Sequence, residues 1–151
     1  MPEETAESDE QAIRAIVERQ FASLSWGDGV APGWAAFASD FHDSARLFPS
    51  ARPVKPTGVG DFVDRMRGLS ETTLTSLQET VLGLELRVFG NIAVATAAGE
   101  MVENGGETSR SVEMLMLVKD GGRWRIVAQA WEKASDANPL PDALVSDAAS
   151  R

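Results

Sequence analysis

Ser109-Arg110-Ser111-Val112-Glu113-Met114-Leu115-Met116-Leu117-Val118, then Lys119-Asp120-Gly121-Gly122, then Arg123-Trp124-Arg125-Ile126-Val127-Ala128-Gln129-Ala130-Trp131-Glu132-Lys133, reads as two strands joined by a tight turn. Strand-forming side chains fill both arms, and the Asp-Gly-Gly between them supplies the positive φ that a hairpin needs. A third such stretch, Gly90 to Val102, precedes it across a second turn signal, Asn104-Gly105-Gly106. Together they predict an antiparallel meander. In these strands both alternating faces are largely apolar, whereas a sheet with one wet face alternates apolar with polar. Something must therefore cover each side.

Towards the N-terminus, Leu77 to Phe89 reads as a long strand. Leu82, Leu84, Leu86 and Val88 fall on one face; Glu79, Glu85 and Arg87 fall on the other. The chain begins with a helix capped by Ser8, with Gln11 as the return partner of a capping box. Ile13, Ile16, Val17, Phe21 and Leu24 form its apolar stripe, and Gly27-Asp28-Gly29 ends it. Pro32 opens a short second helix through Phe37. Phe41-His42-Asp43-Ser44 then leads into a short strand, Ala45 to Phe48, stopped by Pro49. A Pro-rich loop follows, and then a third helix from Val59 to Arg67, with Phe62, Val63 and Met66 on one side and Gly68 as its stop. We expect an N-terminal tail over 1–8, one domain over 9–133 and a C-terminal tail over 134–151. Helices first and strands in series afterwards is an α+β order: a cone-shaped, curved mixed sheet wrapped around three N-terminal helices and enclosing a pocket.

The chain has 151 residues, 43% hydrophobic and 25% charged, enough for a core of its own. A net charge of −9 argues against a nucleic-acid partner, since phosphate-backbone binders concentrate Lys and Arg. Without cysteine there are no disulfides, thiolate metal sites or Cys nucleophiles. A single histidine with scattered carboxylates gives no metal-ligand spacing, so neither metal nor cofactor is expected. No nucleophile elbow is present, and Gly58-Val59-Gly60 lacks the lysine of a phosphate loop. No apolar run has the length of a membrane span, and the acidic N-terminus lacks a signal pattern, so no membrane partner and a cytoplasmic location are expected.

Three stretches carry a resemblance: Phe41-His42-Asp43-Ser44-Ala45-Arg46-Leu47-Phe48-Pro49, Thr57-Gly58 opening the third helix, and Asp120-Gly121-Gly122-Arg123-Trp124-Arg125-Ile126. With the order of elements, they make Glu10 to Lys133 similar to the nuclear transport factor two-like superfamily, which includes ketosteroid isomerase, scytalone dehydratase and SnoaL-type polyketide cyclases. The resemblance implies a deep pocket between the helices and the concave sheet, and a homodimer through the sheet's outer face. It also implies a helix-one Tyr and a first-strand Asp before Pro in ketosteroid isomerase-like members. Here Gln20 and Phe48 hold those positions. With no Tyr anywhere in the chain, ketosteroid isomerase-like and scytalone dehydratase-like activities are rejected. Gln20 and Phe48 instead imply a mostly apolar pocket wall carrying one amide.

Two residues remain as proton carriers. His42 is the single side chain with an unperturbed pKa near neutrality, and Asp43 could orient its ring, although Asp40-Phe41-His42-Asp43-Ser44 also reads as a capping turn. Glu113 sits in an otherwise apolar strand: facing the pocket, burial would raise its pKa; facing out, it would pair with Arg110 or Arg125. The hairpin turn decides which. Counted as three residues, it places Glu113 on the face of Gln129 and Trp131; counted as two, on that of Ala128 and Ala130. Glu100 could join the polar cluster. Trp34, Trp131, Phe62, Met66 and Met114 complete the expected ligand pocket. The expected function is binding of a small hydrophobic organic ligand. The alternative is a SnoaL-like cyclase, isomerase or dehydratase using His42 or Glu113.

Overall fold

The computed structural model describes residues 8–145. Helix α1 spans Asp9–Ser23, α2 Trp34–Ser39 and α3 Val59–Ser70; the strands are β1 Phe41–Phe48, β2 Thr57–Gly58, β3 Leu77–Phe89, β4 Ile92–Glu103, β5 Glu107–Asp120 and β6 Arg123–Lys133. The strands form one curved, open sheet in the order β2-β1-β6-β5-β4-β3, antiparallel throughout except for the parallel β1–β6 pair. The helices pack on its concave face, so the α+β reading stands.

Local signals explain most boundaries. Ser8 Oγ accepts from the Gln11 backbone N–H at 3.1 Å, and Gln11 Oε1 accepts from the Ser8 N–H at 3.0 Å, closing the expected capping box. Helix α2 begins at Trp34, two residues after Pro32. Helix α3 runs through Gly68 to Ser70, since Leu69 still has apolar surface to cover beside the pocket. Strand β1 starts at Phe41 rather than Ala45.

The core lies between α1, α2, α3 and the concave face. Ile13, Val17 and Phe21 of α1 meet Ala93, Ala95, Ala97, Leu115 and Leu117, all nearly or fully buried. Small side chains on β4 let the helices approach closely: a Cβ at Gly99 would lie 2.6 Å from the Phe21 ring. Asp9 ties the start of α1 to the hairpin, its Oδ1 accepting from Trp124 Nε1–H and Lys119 Nζ, each at 3.0 Å. Behind α1, Arg19 donates from two nitrogens to both oxygens of the buried Asp40, at 2.7 and 2.8 Å.

Two one-residue irregularities decide which side chains face the helices. In the β5–β6 hairpin Asp120 pairs with Arg123, so the turn is the two residues Gly121 and Gly122. The pairing then shifts by one between Leu117↔Ile126 and Met116↔Ala128, leaving Val127 as the extra residue of a bulge. Beyond it Glu113 pairs with Trp131 and Leu115 with Gln129. A two-residue turn alone would have given the opposite faces. In β3 the shift between Val81↔Gly99 and Gly83↔Ala98 makes Leu82 the extra residue. Uninterrupted alternation fails there: Glu79, paired with Met101, shares the concave face with Leu84, Leu86 and Val88, which pair with Ala97, Ala95 and Ala93. Gly83 beside the bulge admits the C-terminal segment, because any Cβ there would overlap the Leu144 carbonyl. Residues 142–145 form a helical turn whose Leu144 is buried. Gly83 shares the outer face with Gln78, Thr80 and Glu85, so this described part of the expected tail packs on the side opposite the pocket.

Candidate functional site

A cavity of about 310 Å³ lies between the helices and the concave face. Small side chains on β5, Ser109 and Ser111, are among its lining, while the space over Gly99 is taken by the Phe21 ring. Phe62 of α3 stacks on Phe37, with centroids 5.5 Å apart, and meets Trp131 of β6 edge-on at 5.7 Å and 77°. Met66 and Met101 continue this apolar lining.

A buried polar chain crosses it. Gln20 of α1 and Gln129 of β6 exchange hydrogen bonds: Gln20 Nε2 donates to Gln129 Oε1 at 2.8 Å, and Gln129 Nε2 donates to Gln20 Oε1 at 2.9 Å. Gln129 Nε2 also donates to Glu113 Oε1 in a short hydrogen bond. Both amides are thereby satisfied, as buried amides must be. Glu113 Oε2 is left with no hydrogen-bond partner among the described residues. Burial pushes the Glu113 carboxyl up to about 7, against the lowering pull of the Gln129 hydrogen bond.

Glu79 enters the same cavity from β3. Its carboxyl is raised well above the usual carboxylate range, first by burial and then by the nearby negative charge of Glu113. It accepts no hydrogen bond and pairs with no cation among the described residues. The site is therefore an acidic pair in an apolar cavity, one member oriented by amides and the other facing the open space. Such a pair holds a proton near neutral pH, because two close carboxylates resist ionising together.

No protein-family model matches the sequence, and no curated protein does. Solved structures do match. An NTF2-like protein of unknown function from Pseudomonas putida KT2440 superposes with a TM-score of 0.67 at 13% identity, over 90% of this chain and 96% of that one. A candidate scytalone dehydratase from Novosphingobium aromaticivorans gives 0.68 at 11% identity, covering 84% and 85% of the two chains. A protein with a cystatin-like fold from Caulobacter vibrioides gives 0.66 at 16%, covering 85% and 91%. The fold is NTF2-like.

Within this NTF2-like frame, the structure brings Gln20, Phe62, Met66, Glu113, Gln129 and Trp131 to one cavity. It does not bring Trp34, Phe48 or Met114 there. Phe48 pairs with Ala130 and Met114 with Ala130 and Thr96, all on the outer face, because their strand neighbours Leu47 and Glu113 point inward. Trp34 packs on Trp26 at 5.4 Å, with the Arg67 guanidinium 5.6 Å from its ring. His42 is exposed, on the irregular part of β1 opposite the Val127 bulge, where its Nδ1 accepts from the Ser44 backbone N–H at 2.9 Å. Glu100 lines part of the cavity, but its carboxylate accepts from Arg110 Nε at 3.0 Å. Glu79 was missed because Leu82, Leu84, Leu86 and Val88 read as unbroken alternation. One local signal pointed to it: two residues away, Leu77 is core.

Proposed function

We propose that this chain binds a small, mainly hydrophobic organic molecule in the cavity between its helices and sheet. The observation that carries the reading is the Gln20–Gln129–Glu113 chain, which holds a carboxyl in a mainly apolar cavity beside Glu79. Burying an ionisable group is costly, and a few placed polar groups in an apolar pocket are the usual recognition pattern for small molecules. Native mass spectrometry before and after denaturation tests it. The expected result is a small-molecule adduct on the freshly purified protein that is absent from Ser111→Phe, which fills the cavity from its own lining. Equal occupancy in both proteins would place the ligand elsewhere and sink the reading.

One observation favours a second reading. A carboxyl poised at about 7 gives and takes protons at neutral pH, so Glu113 suits proton transfer on a bound substrate of the cyclase, isomerase or dehydratase type. Glu113→Gln would then abolish turnover while retaining binding, and the exposed His42→Ala would not. Full turnover by Glu113→Gln would end this reading.

We further propose that a second copy of the chain covers the outer sheet face. Ile92, Val94, Met114 and Met116 are 42–60% exposed there, forming an apolar patch without a carboxylate at its centre. Its margin carries both signs, Arg87 and Arg125 against Glu85 and Glu132, so a twofold axis can set opposite charges together despite the net negative charge. Sedimentation should find a dimer that Met116→Asp converts to monomer; an unaltered dimer would exclude this face.

A further inference from the structure

The chemistry of the cavity narrows what it can hold, granted that it is a ligand pocket. Glu79 is half-buried and lines the cavity. No residue supplies it with a hydrogen bond or an opposite charge among those described. Glu113 offers Oε2 to the same space, while Gln129 fixes Oε1. Even sharing one proton, the pair leaves acceptor positions open, and once fully ionised it carries two negative charges with no cation bonded to them, which a donating positive charge would satisfy.

Apart from the Gln129–Glu113 bond, no lining residue bonds to either carboxyl among the described residues, although the hydroxyls of Ser50, Ser109 and Ser111 line the same space. The other charged residues of the lining are Arg65 of α3, Glu100 and Glu103 of β4 and Lys133 of β6. Arg65 and Lys133 are exposed, and Glu100 is engaged by Arg110. Helices α1 and α2 contribute only Gln20 and apolar side chains, and the segment after β1 contributes Pro49, Ser50 and Ala51. Aromatic rings at Phe62 and Trp131 favour cations over anions, because a ring face carries partial negative charge. A free carboxylate or phosphate would meet repulsion from both glutamates.

We propose that the pocket takes a hydrophobic amine as its ammonium ion, the nitrogen donating to both Glu79 and Glu113 and the hydrocarbon body lying against Phe62, Trp131 and Met66. The ammonium replaces the proton that the two carboxylates otherwise share, and that proton passes to solvent. Binding therefore releases a proton near neutral pH and strengthens as the pair ionises. Neither step alters a covalent bond of the ligand.

Calorimetric titration of the full chain with 2-phenylethylamine, 2-phenylethanol and phenylacetate tests this, since the three share a body and differ in the head. At about pH 8 the amine should bind about tenfold or more tightly than the alcohol. Phenylacetate should not bind. Glu79→Gln and Glu113→Gln should each remove the amine's advantage while leaving the alcohol's affinity in place, with thermal melts reporting whether each variant folds. If neither variant folds, the wild-type ratio of amine to alcohol and the proton release, read from heats in buffers of different ionisation enthalpy, decide the matter. The alcohol binding as tightly as the amine would overturn the amine inference and leave the pocket reading intact. No heat with any of the three would overturn both.

Discussion

The two faces of the first half of β4 and the last half of β5 are both apolar, and they meet opposite fates. On β4 the inward row is Ala93, Ala95 and Ala97, at most 5% exposed; the outward row is Ile92 and Val94, at 56% and 42%. The larger residues are the exposed ones. On β4 side-chain size, and not hydrophobicity, separates the faces: its alanines let helices close to core distance, while Ile92 and Val94, with the long, flexible Met114 and Met116 of β5, form an uneven apolar outer surface. The cavity lies farther along the sheet, where Ser109 and Ser111 of β5 are among its lining.

The comparison breaks most completely if the bulge that sorts the faces is removed. Deleting Val127 should turn Gln129 and Trp131 outward and bring Ala128 and Ala130 under the helices. We expect loss of near-ultraviolet dichroism and of cooperative unfolding. A variant that still melts cooperatively and binds the same ligand would show that the bulge does not set the site.

Within the intact fold, the faces should differ in what truncation costs. Phe37, 2% exposed, stacked on Phe62 and tilted against Phe41, should lose about 3–5 kcal/mol on substitution by Ala, read by denaturant unfolding. The half-buried acid of the cavity should contribute the next largest effect. Glu113 is raised from 4.5 to about 7, so between those values the folded state holds a proton that the unfolded state has lost. Stability from this group is fully present below about pH 4.5, falls as pH rises through about 7, and amounts to roughly 3 kcal/mol. The Glu79 shift has the same sign. Unfolding free energies of wild type and Glu113→Gln should thus draw apart between pH 5 and pH 8, with the variant gaining relative stability at the higher pH; parallel curves would mean that Glu113 is not buried as an acid. The smallest effect belongs to the outer face: Met114→Ala should cost within about 0.5 kcal/mol when measured at dilutions that leave only monomer. A cost equal to that of Phe37→Ala would erase the distinction between the faces.

The site was partly legible because some of its determinants are local and some are not. Glu113, Gln129 and Trp131 stand out as polar or bulky breaks in apolar strands, but the turn count expected to decide their facing does not decide it. The turn is two residues long, yet the facing is the one expected for three, because Val127 adds the missing residue farther along. Phe48 and Met114 were assigned to the pocket from their surroundings in the chain, and their strands' alternation turns them outward. Glu79 was assigned to the wrong face because the even spacing of Leu82, Leu84, Leu86 and Val88 concealed the extra residue at Leu82.

Helices, turns and caps of this protein are determined by its sequence alone, since each rests on neighbours within a few positions: the Ser8–Gln11 box, the apolar stripe of α1, and the paired glycines of the last hairpin. Strand faces beyond a bulge depend on partners far along the chain. The sheet bends where β1 and β6 fall out of step, and Gly83 receives Leu144 from the C-terminal segment. These contacts place the two extra residues, and a shift of one residue carries every later side chain to the other face. Tertiary structure therefore decided that two glutamates meet in one cavity, because facing in a strand is counted from pairing partners, whereas a helix or a turn is built from its own residues.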